Sequence, residues 1–253
     1  MQQMYHELKG TGEKRILLLH GWGCSSATMS PLARDLQRSA QVLSVDFPGH
    51  GRTPNPPEVW GVPEYAEALK ALLTELSFTP CAVIAHSFGA RVAIYLASEY
   101  SGLFTQLLLT GAAGIRPKQS NEAKARQSGY QRMKQLAGTM RKVGFLKPAA
   151  DRLQEAAVQK YGSADYKALS PEMRQTFSRI VNLDLTDRLG RIQQPTLLIW
   201  GEKDDATPLW MGQQMEKDIP DAGLVVFERG SHFAFLEQSA RFLLIARNFF
   251  HLG

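Results

Sequence analysis

Cysteine is scarce. Only Cys24 and Cys81 occur in 253 residues, so no disulfide framework is implied and a reducing, cytoplasmic setting is expected. Long apolar runs are missing too. None nears the roughly 18 residues of a membrane span, and the polar stretch Met1–Lys14 lacks the charged-then-apolar profile of an export signal. No integral membrane segment is therefore expected. Internal repeats and low-complexity tracts are absent. No His-x-His, Cys-x-x-Cys or His-Glu-x-x-His spacing argues for a metal. Gly10-Thr11-Gly12-Glu13-Lys14 lacks the spacing of a phosphate loop, and no Gly-x-Gly-x-x-Gly follows a strand. The expectation is a protein with no metal, no cofactor and no nucleic-acid module.

What is present is ordinary in amount but uneven in placement. With 44% hydrophobic residues, 21 Gly and 13 Pro, the chain is neither disordered nor fibrous. Net charge is +5, yet Ile115–Asn182 holds 14 lysines and arginines against 5 acidic residues, leaving 15 against 19 elsewhere. These cations are scattered at helical spacing. They read as a solvated helical surface, or alternatively as a face for an acidic partner.

Short apolar runs alternate with segments of helical period, the pattern of βαβ units around a mostly parallel sheet. Strands are predicted at Ile16–His20, Val42–Asp46, Cys81–Ala85, Gln106–Thr110, Thr196–Trp200 and Leu224–Glu228, with Met4–Lys9 as a further edge. Helices are predicted at Pro63–Ser77, Phe88–Glu99, Leu209–Asp218 and Ala234–Phe250. Between Gly114 and Leu189 the alternation stops, and a run rich in Lys, Arg, Gln and Ala reads as several amphipathic helices inserted between two strands. The expected division is a sheet core of residues 1–113 and 190–253 with a helical cap of residues 114–189.

Ala85-His86-Ser87-Phe88-Gly89 follows one predicted strand and opens a helix. Small-x-Ser-x-Gly in that setting forces a sharp turn that lifts the Ser87 hydroxyl above the sheet. An activated serine needs a base, and the base an orienting acid, from loops at the same sheet edge. The loop Gly201–Pro208 offers Asp204 and Asp205, of which Asp204 is favoured, and Gly230-Ser231-His232 offers the imidazole. Two backbone N–H donors must meet the developing oxyanion. Phe88, after the nucleophile, supplies one, and Trp22 in His20-Gly21-Trp22-Gly23 the other. His20, His50 and Asp46 read as supports of their own loops.

These stretches, with Asp46-Phe47-Pro48-Gly49-His50-Gly51, resemble the α/β-hydrolase superfamily along essentially the whole chain. The resemblance implies an α/β-hydrolase fold, a mostly parallel central sheet flanked by helices with an inserted helical cap. It assigns Ser87 as nucleophile, Asp204 as acid, His232 as base, and Trp22 and Phe88 as oxyanion amides. Ala85, where that family usually has glycine, is the departure. Asp-nucleophile relatives, the dehalogenases and epoxide hydrolases, are disfavoured by Ser87.

Substrate identity is weakly encoded. His86 and Phe233 adjoin the reacting residues, Arg116 at the cap entry is placed to meet a substrate carboxylate, and Tyr130 and Phe145 are pocket candidates within the insertion. Amphipathic helices bury such aromatic residues in any case. The expected substrate is a small-molecule carboxylic ester of small or medium acyl length. Alternatives are a methyl ester on an acidic acyl carrier protein, carbon–carbon cleavage of the meta-cleavage type, and a binding protein without turnover.

Overall fold

The computed structural model describes residues 3–116 and 121–253, apart from the side chains of residues 121–124 and 164–165. The chain forms two compact units, Met1–Arg116 with Arg179–Gly253, and Pro117–Ser178.

The first unit is built on a seven-stranded sheet. Its strands are β1 (His6–Lys9), β2 (Lys14–Leu19), β3 (Ala40–Val45), β4 (Cys81–His86), β5 (Phe104–Thr110), β6 (Thr196–Gly201) and β7 (Ala222–Phe227). They lie in the order β1-β3-β2-β4-β5-β6-β7. Only β1 pairs antiparallel, at the edge against β3; the other pairs are parallel. Period-two alternation sends side chains to opposite faces, and both faces are covered. Leu17, Leu19, Val83, Ala85, Leu107, Leu109, Leu198 and Trp200 pack in one core. There they meet α2 (Val62–Glu75), α3 (Phe88–Glu99) and α9 (Leu209–Asp218). Ile16, Leu18, Val42, Ile84, Leu108 and Ile199 pack in the other, with α1 (Ser26–Leu36), α10 (Ala234–Glu237) and α11 (Ser239–Phe249). Two-sided burial explains why these strands read as continuous apolar runs.

Three sequence expectations change. Helix α1, with Pro31 inside it, was not predicted. The helix expected over 234–250 is interrupted at Gln238, whose φ of −120° is not helical. The inserted segment is shorter than 114–189. Ile115, Ile180, Leu185 and Leu189 are buried in the core of the sheet unit, so Gly114–Arg116 and Arg179–Leu189, including α8 (Thr186–Leu189), belong there.

The second unit is helical. It comprises α4 (Asn121–Arg141), α5 (Lys147–Tyr161), α6 (Ala164–Ala168) and the first part of α7 (Pro171–Asn182). The Tyr130 and Tyr166 hydroxyls bond at 3.0 Å, and Arg174 donates to Glu155 at 2.7 Å. A 3-10 turn, Gly144–Leu146, joins α4 to α5.

Candidate active site

Parallel strands bring their carboxyl ends to one edge of the sheet, where successive loops meet. Ser87 is the single residue between β4 and α3, with φ 49° and ψ −108°. Positive φ strains a residue that carries a Cβ, by about 1–3 kcal/mol. The Ser87 N–H donates to the Thr110 carbonyl at 3.1 Å, and the Ala113 N–H donates to the Ser87 carbonyl at 3.2 Å. The strained turn is thereby clamped to the end of β5. Two residues on, a Cβ at Gly89 would stand 2.7 Å from the carbonyl oxygens of Leu19 and His20. Only glycine lets α3 start this close to β2.

The loops after β6 and β7 zip together by backbone bonds. Glu202 N–H donates to Phe227 O at 3.0 Å, and Lys203 N–H to Gly230 O at 2.8 Å. Asp204 is buried and Asp205 exposed. His232 Nδ1 lies 2.8 Å from Asp204 Oδ2. Asp204 Oδ1 accepts from the N–H groups of Ala206 at 3.0 Å and Thr207 at 2.8 Å. Burial pushes the Asp204 carboxyl up, but the bonds from His232 and Thr207 outweigh it and hold the group below its ordinary range. An ionised carboxylate only accepts, so His232 Nδ1 carries a proton, and in the neutral tautomer this leaves the lone pair on Nε2.

His86, covalently next to Ser87, connects these parts. Its Nε2 donates to the His232 carbonyl at 3.0 Å, and the two rings lie 4.6 Å apart. A Cβ on Gly21 would meet His86 Nδ1 at 2.7 Å and Ser87 Cβ at 3.4 Å, so the loop after β2 adjoins the serine turn. Burial, with His232 nearby, lowers the His86 pKa to about 3; it is a neutral ring. On that loop, Phe47 N–H donates to His20 Nε2 at 3.1 Å, leaving Nδ1 to donate to the Gly21 carbonyl at 2.7 Å. Burial lowers the His20 pKa to about 4. The Trp22 indole packs edge-on against Phe88 at 5.3 Å and His50 at 4.6 Å. The Phe88 N–H, first of α3, has no intrahelical acceptor.

The expected substrate contacts separate. Phe233, 37% exposed, lies 5.6 Å from the His232 ring and 5.0 Å from His86. The Arg116 side chain is exposed, and its backbone N–H bonds Asp184. Tyr130 and Phe145 belong to the helical unit; Tyr130 bonds Tyr166, and Phe145 is 83% exposed on the 3-10 turn. Sequence reasoning missed two residues beside the Asp204–His232 pair. A Cβ on Gly111 would meet Asp204 Oδ2 and His232 Nδ1 at 3.1 Å each. Thr207 places its hydroxyl 2.9 Å from Asp204 Oδ2. The spacing Asp-x-x-Thr, which lets a carboxylate accept from the residue three positions on, was the available signal.

Among the described residues no group of three or more His, Cys, Asp or Glu is arranged to hold a metal, and no helix is long and apolar enough to cross a membrane.

Fold and site together define a hydrolase architecture. The chain matches the alpha/beta hydrolase family over residues 16–243, and it belongs to that family. It is 27% identical over 252 residues to the pimeloyl-(acyl-carrier protein) methyl ester esterase of Chromobacterium violaceum, covering 95% of each chain. An esterase from Exiguobacterium antarcticum superposes with a TM-score of 0.75 at 21% identity, over 99% of this chain and 96% of that one. A meta-cleavage product hydrolase from Pseudomonas fluorescens IP01 gives 0.72 at 23% identity, over 98% and 94%. At such identities the two structures share the fold with this chain.

Proposed function

We propose that the protein is a serine hydrolase of carboxylic esters with small or medium acyl groups. The observation that carries this reading is the 2.8 Å bond from His232 Nδ1 to Asp204 Oδ2. The His232 carbonyl also accepts from His86, the residue before Ser87, whose φ is 49°. His232 Nε2 accepts the Ser87 hydroxyl proton as Oγ attacks the ester carbonyl, while Asp204 fixes the tautomer and faces the positive imidazolium. The Trp22 and Phe88 N–H groups donate to the oxyanion. Collapse expels the alcohol, which takes its proton from His232. A water, deprotonated by the same nitrogen, then releases the acid from Ser87. The helical unit Pro117–Ser178 acts in this reading as the cap that selects the acyl group.

Fluorophosphonate labelling and turnover of a nitrophenyl ester test the assignment. Ser87→Ala is expected to abolish labelling and cut turnover by about 10⁴-fold or more, with the thermal midpoint retained. Substantial turnover in that variant would overturn it.

A methyl ester carried by an acidic acyl carrier protein is the second reading. The excess of cations between Ile115 and Asn182 and the activity named for the Chromobacterium violaceum relative favour it. Carrier binding that weakens with salt would support it.

A further inference from the structure

Thr207 uses every polar atom it has next to the Asp204–His232 pair. Its N–H donates to Asp204 Oδ1 at 2.8 Å. Its carbonyl accepts from the Trp200 indole N–H at 2.6 Å, which ties the residue to β6. Its hydroxyl lies 2.9 Å from Asp204 Oδ2, 3.0 Å from the Gly111 carbonyl and 3.3 Å from His232 Nδ1. The residue is buried, so these neighbours, rather than water, satisfy it. A hydroxyl has one proton and two lone pairs. Two acceptors, Asp204 Oδ2 and Gly111 O, therefore compete for one hydrogen, and the backbone is held so firmly that only the O–H direction is free.

We propose that Thr207 is a positioning residue whose hydroxyl turns from Asp204 toward the Gly111 carbonyl when His232 becomes positive; this rests on the serine-hydrolase reading above. While the imidazole is neutral, the hydroxyl proton shares Asp204 Oδ2 with His232 Nδ1–H. Once His232 holds the Ser87 proton, that sharing is unfavourable, because it diverts a carboxylate lone pair from a cation. Rotation toward Gly111 O returns the lone pair to His232. It also turns a Thr207 lone pair toward the imidazolium N–H, giving it a second acceptor. The proton stays on Thr207 Oγ1 throughout, and no covalent bond changes. Because the gain appears only as charge develops, it acts on turnover more than on substrate binding.

The test compares Thr207→Val, Thr207→Ala and Thr207→Ser in the full chain. It measures kcat and KM for a nitrophenyl ester, the rate of fluorophosphonate labelling, and the thermal midpoint. Val and Ala are expected to lower kcat and the labelling rate together by about tenfold, roughly one neutral hydrogen bond, with KM within about twofold. Ser restores both rates to within about threefold although it lacks the methyl group, which separates hydroxyl from packing. Ala introduces no clash, so the comparison survives a Val variant that does not fold. A lowered midpoint with unchanged kcat and labelling in Val or Ala would reduce Thr207 to packing and overturn the proposal, as would a Ser variant as slow as Ala. Retained turnover in Ser87→Ala would instead overturn the serine-hydrolase reading itself.

Discussion

At residue 111 one hydrogen stands where other residues carry a carbon. Gly111 has φ +50°, and a Cβ there would press on Asp204 Oδ2 and His232 Nδ1 at 3.1 Å. Neither neighbour can retreat without lengthening the 2.8 Å bond between them. Gly111→Ala is expected to cost about 1–3 kcal/mol of stability through strain and overpacking. Turnover should fall by about tenfold or more through the misplaced imidazole. Gly102 is the control, since a Cβ there meets nothing within 4 Å; Gly102→Ala should stay within about 0.5 kcal/mol of the parent. Steady-state kinetics and thermal unfolding of both variants check the pair. Gly111 was invisible as a site residue in the chain itself, being any glycine after a strand. Thr207 left only its Asp-x-x-Thr spacing, in what otherwise reads as any threonine before a proline.

At the scale of elements, the serine turn depends on how closely α3 approaches β2. Gly89→Ala is expected to destabilise by about 2–3 kcal/mol, because its Cβ meets the backbone oxygens of Leu19 and His20 at 2.7 Å. The same shift disturbs Ser87, so fluorophosphonate labelling should slow along with the drop in urea midpoint. An unchanged midpoint would show that α3 has room to move. The strands of this unit were legible because two-sided burial writes Leu-, Ile- and Val-rich runs into the sequence. Helix α1 was not, since Pro31 and the serine-rich start Ser25-Ser26 mimic a loop. Met29, Leu32 and Leu36 packing on the sheet override that local signal. The break at Gln238 was hidden for the converse reason. Apolar period continues through it, while the Glu237 carboxylate turns aside to accept the Ser231 N–H at 2.9 Å and steadies the loop that carries His232.

Across the whole molecule, buried histidines set the response to acid. Burial lowers His20 to about 4 and His86 to about 3 from an ordinary 6.5, and lowers His50 as well. The unfolded chain takes up these protons from pH 6.5 downward while the folded chain resists them. Their contribution to stability is therefore complete above pH 6.5 and is lost as pH falls toward 4 and 3. Each group costs about 1.4 kcal/mol per pH unit in that interval. His20 and His86 together should remove about 4 kcal/mol between pH 7.5 and 5. Asp204, lowered in the fold, adds to the loss only as pH drops through the carboxylate range. Urea unfolding at stepped pH measures this slope. His86→Gln, which keeps a donor toward the His232 carbonyl, should remove about half of it. A midpoint flat from pH 7.5 to 5 would show that the rings are hydrated and titrate normally.

The sequence by itself determined the layered α/β class, the strand segments, the serine turn and the chain order of hydroxyl, carboxylate and imidazole. Each of those is written locally, in hydrophobic period or in a turn that only certain residues form. Tertiary structure alone decided where the inserted unit begins and ends, since Ile115, Ile180, Leu185 and Leu189 count as core only once α3 and α9 are beside them. It also decided that His86 faces the carbonyl of a residue 146 positions away, and that Thr207 shares its hydroxyl with both members of the Asp204–His232 pair. The contacts of His86 and Thr207 with His232 join residues too far apart to leave a period or a spacing in the chain. They arise from parallel strands setting distant loops side by side.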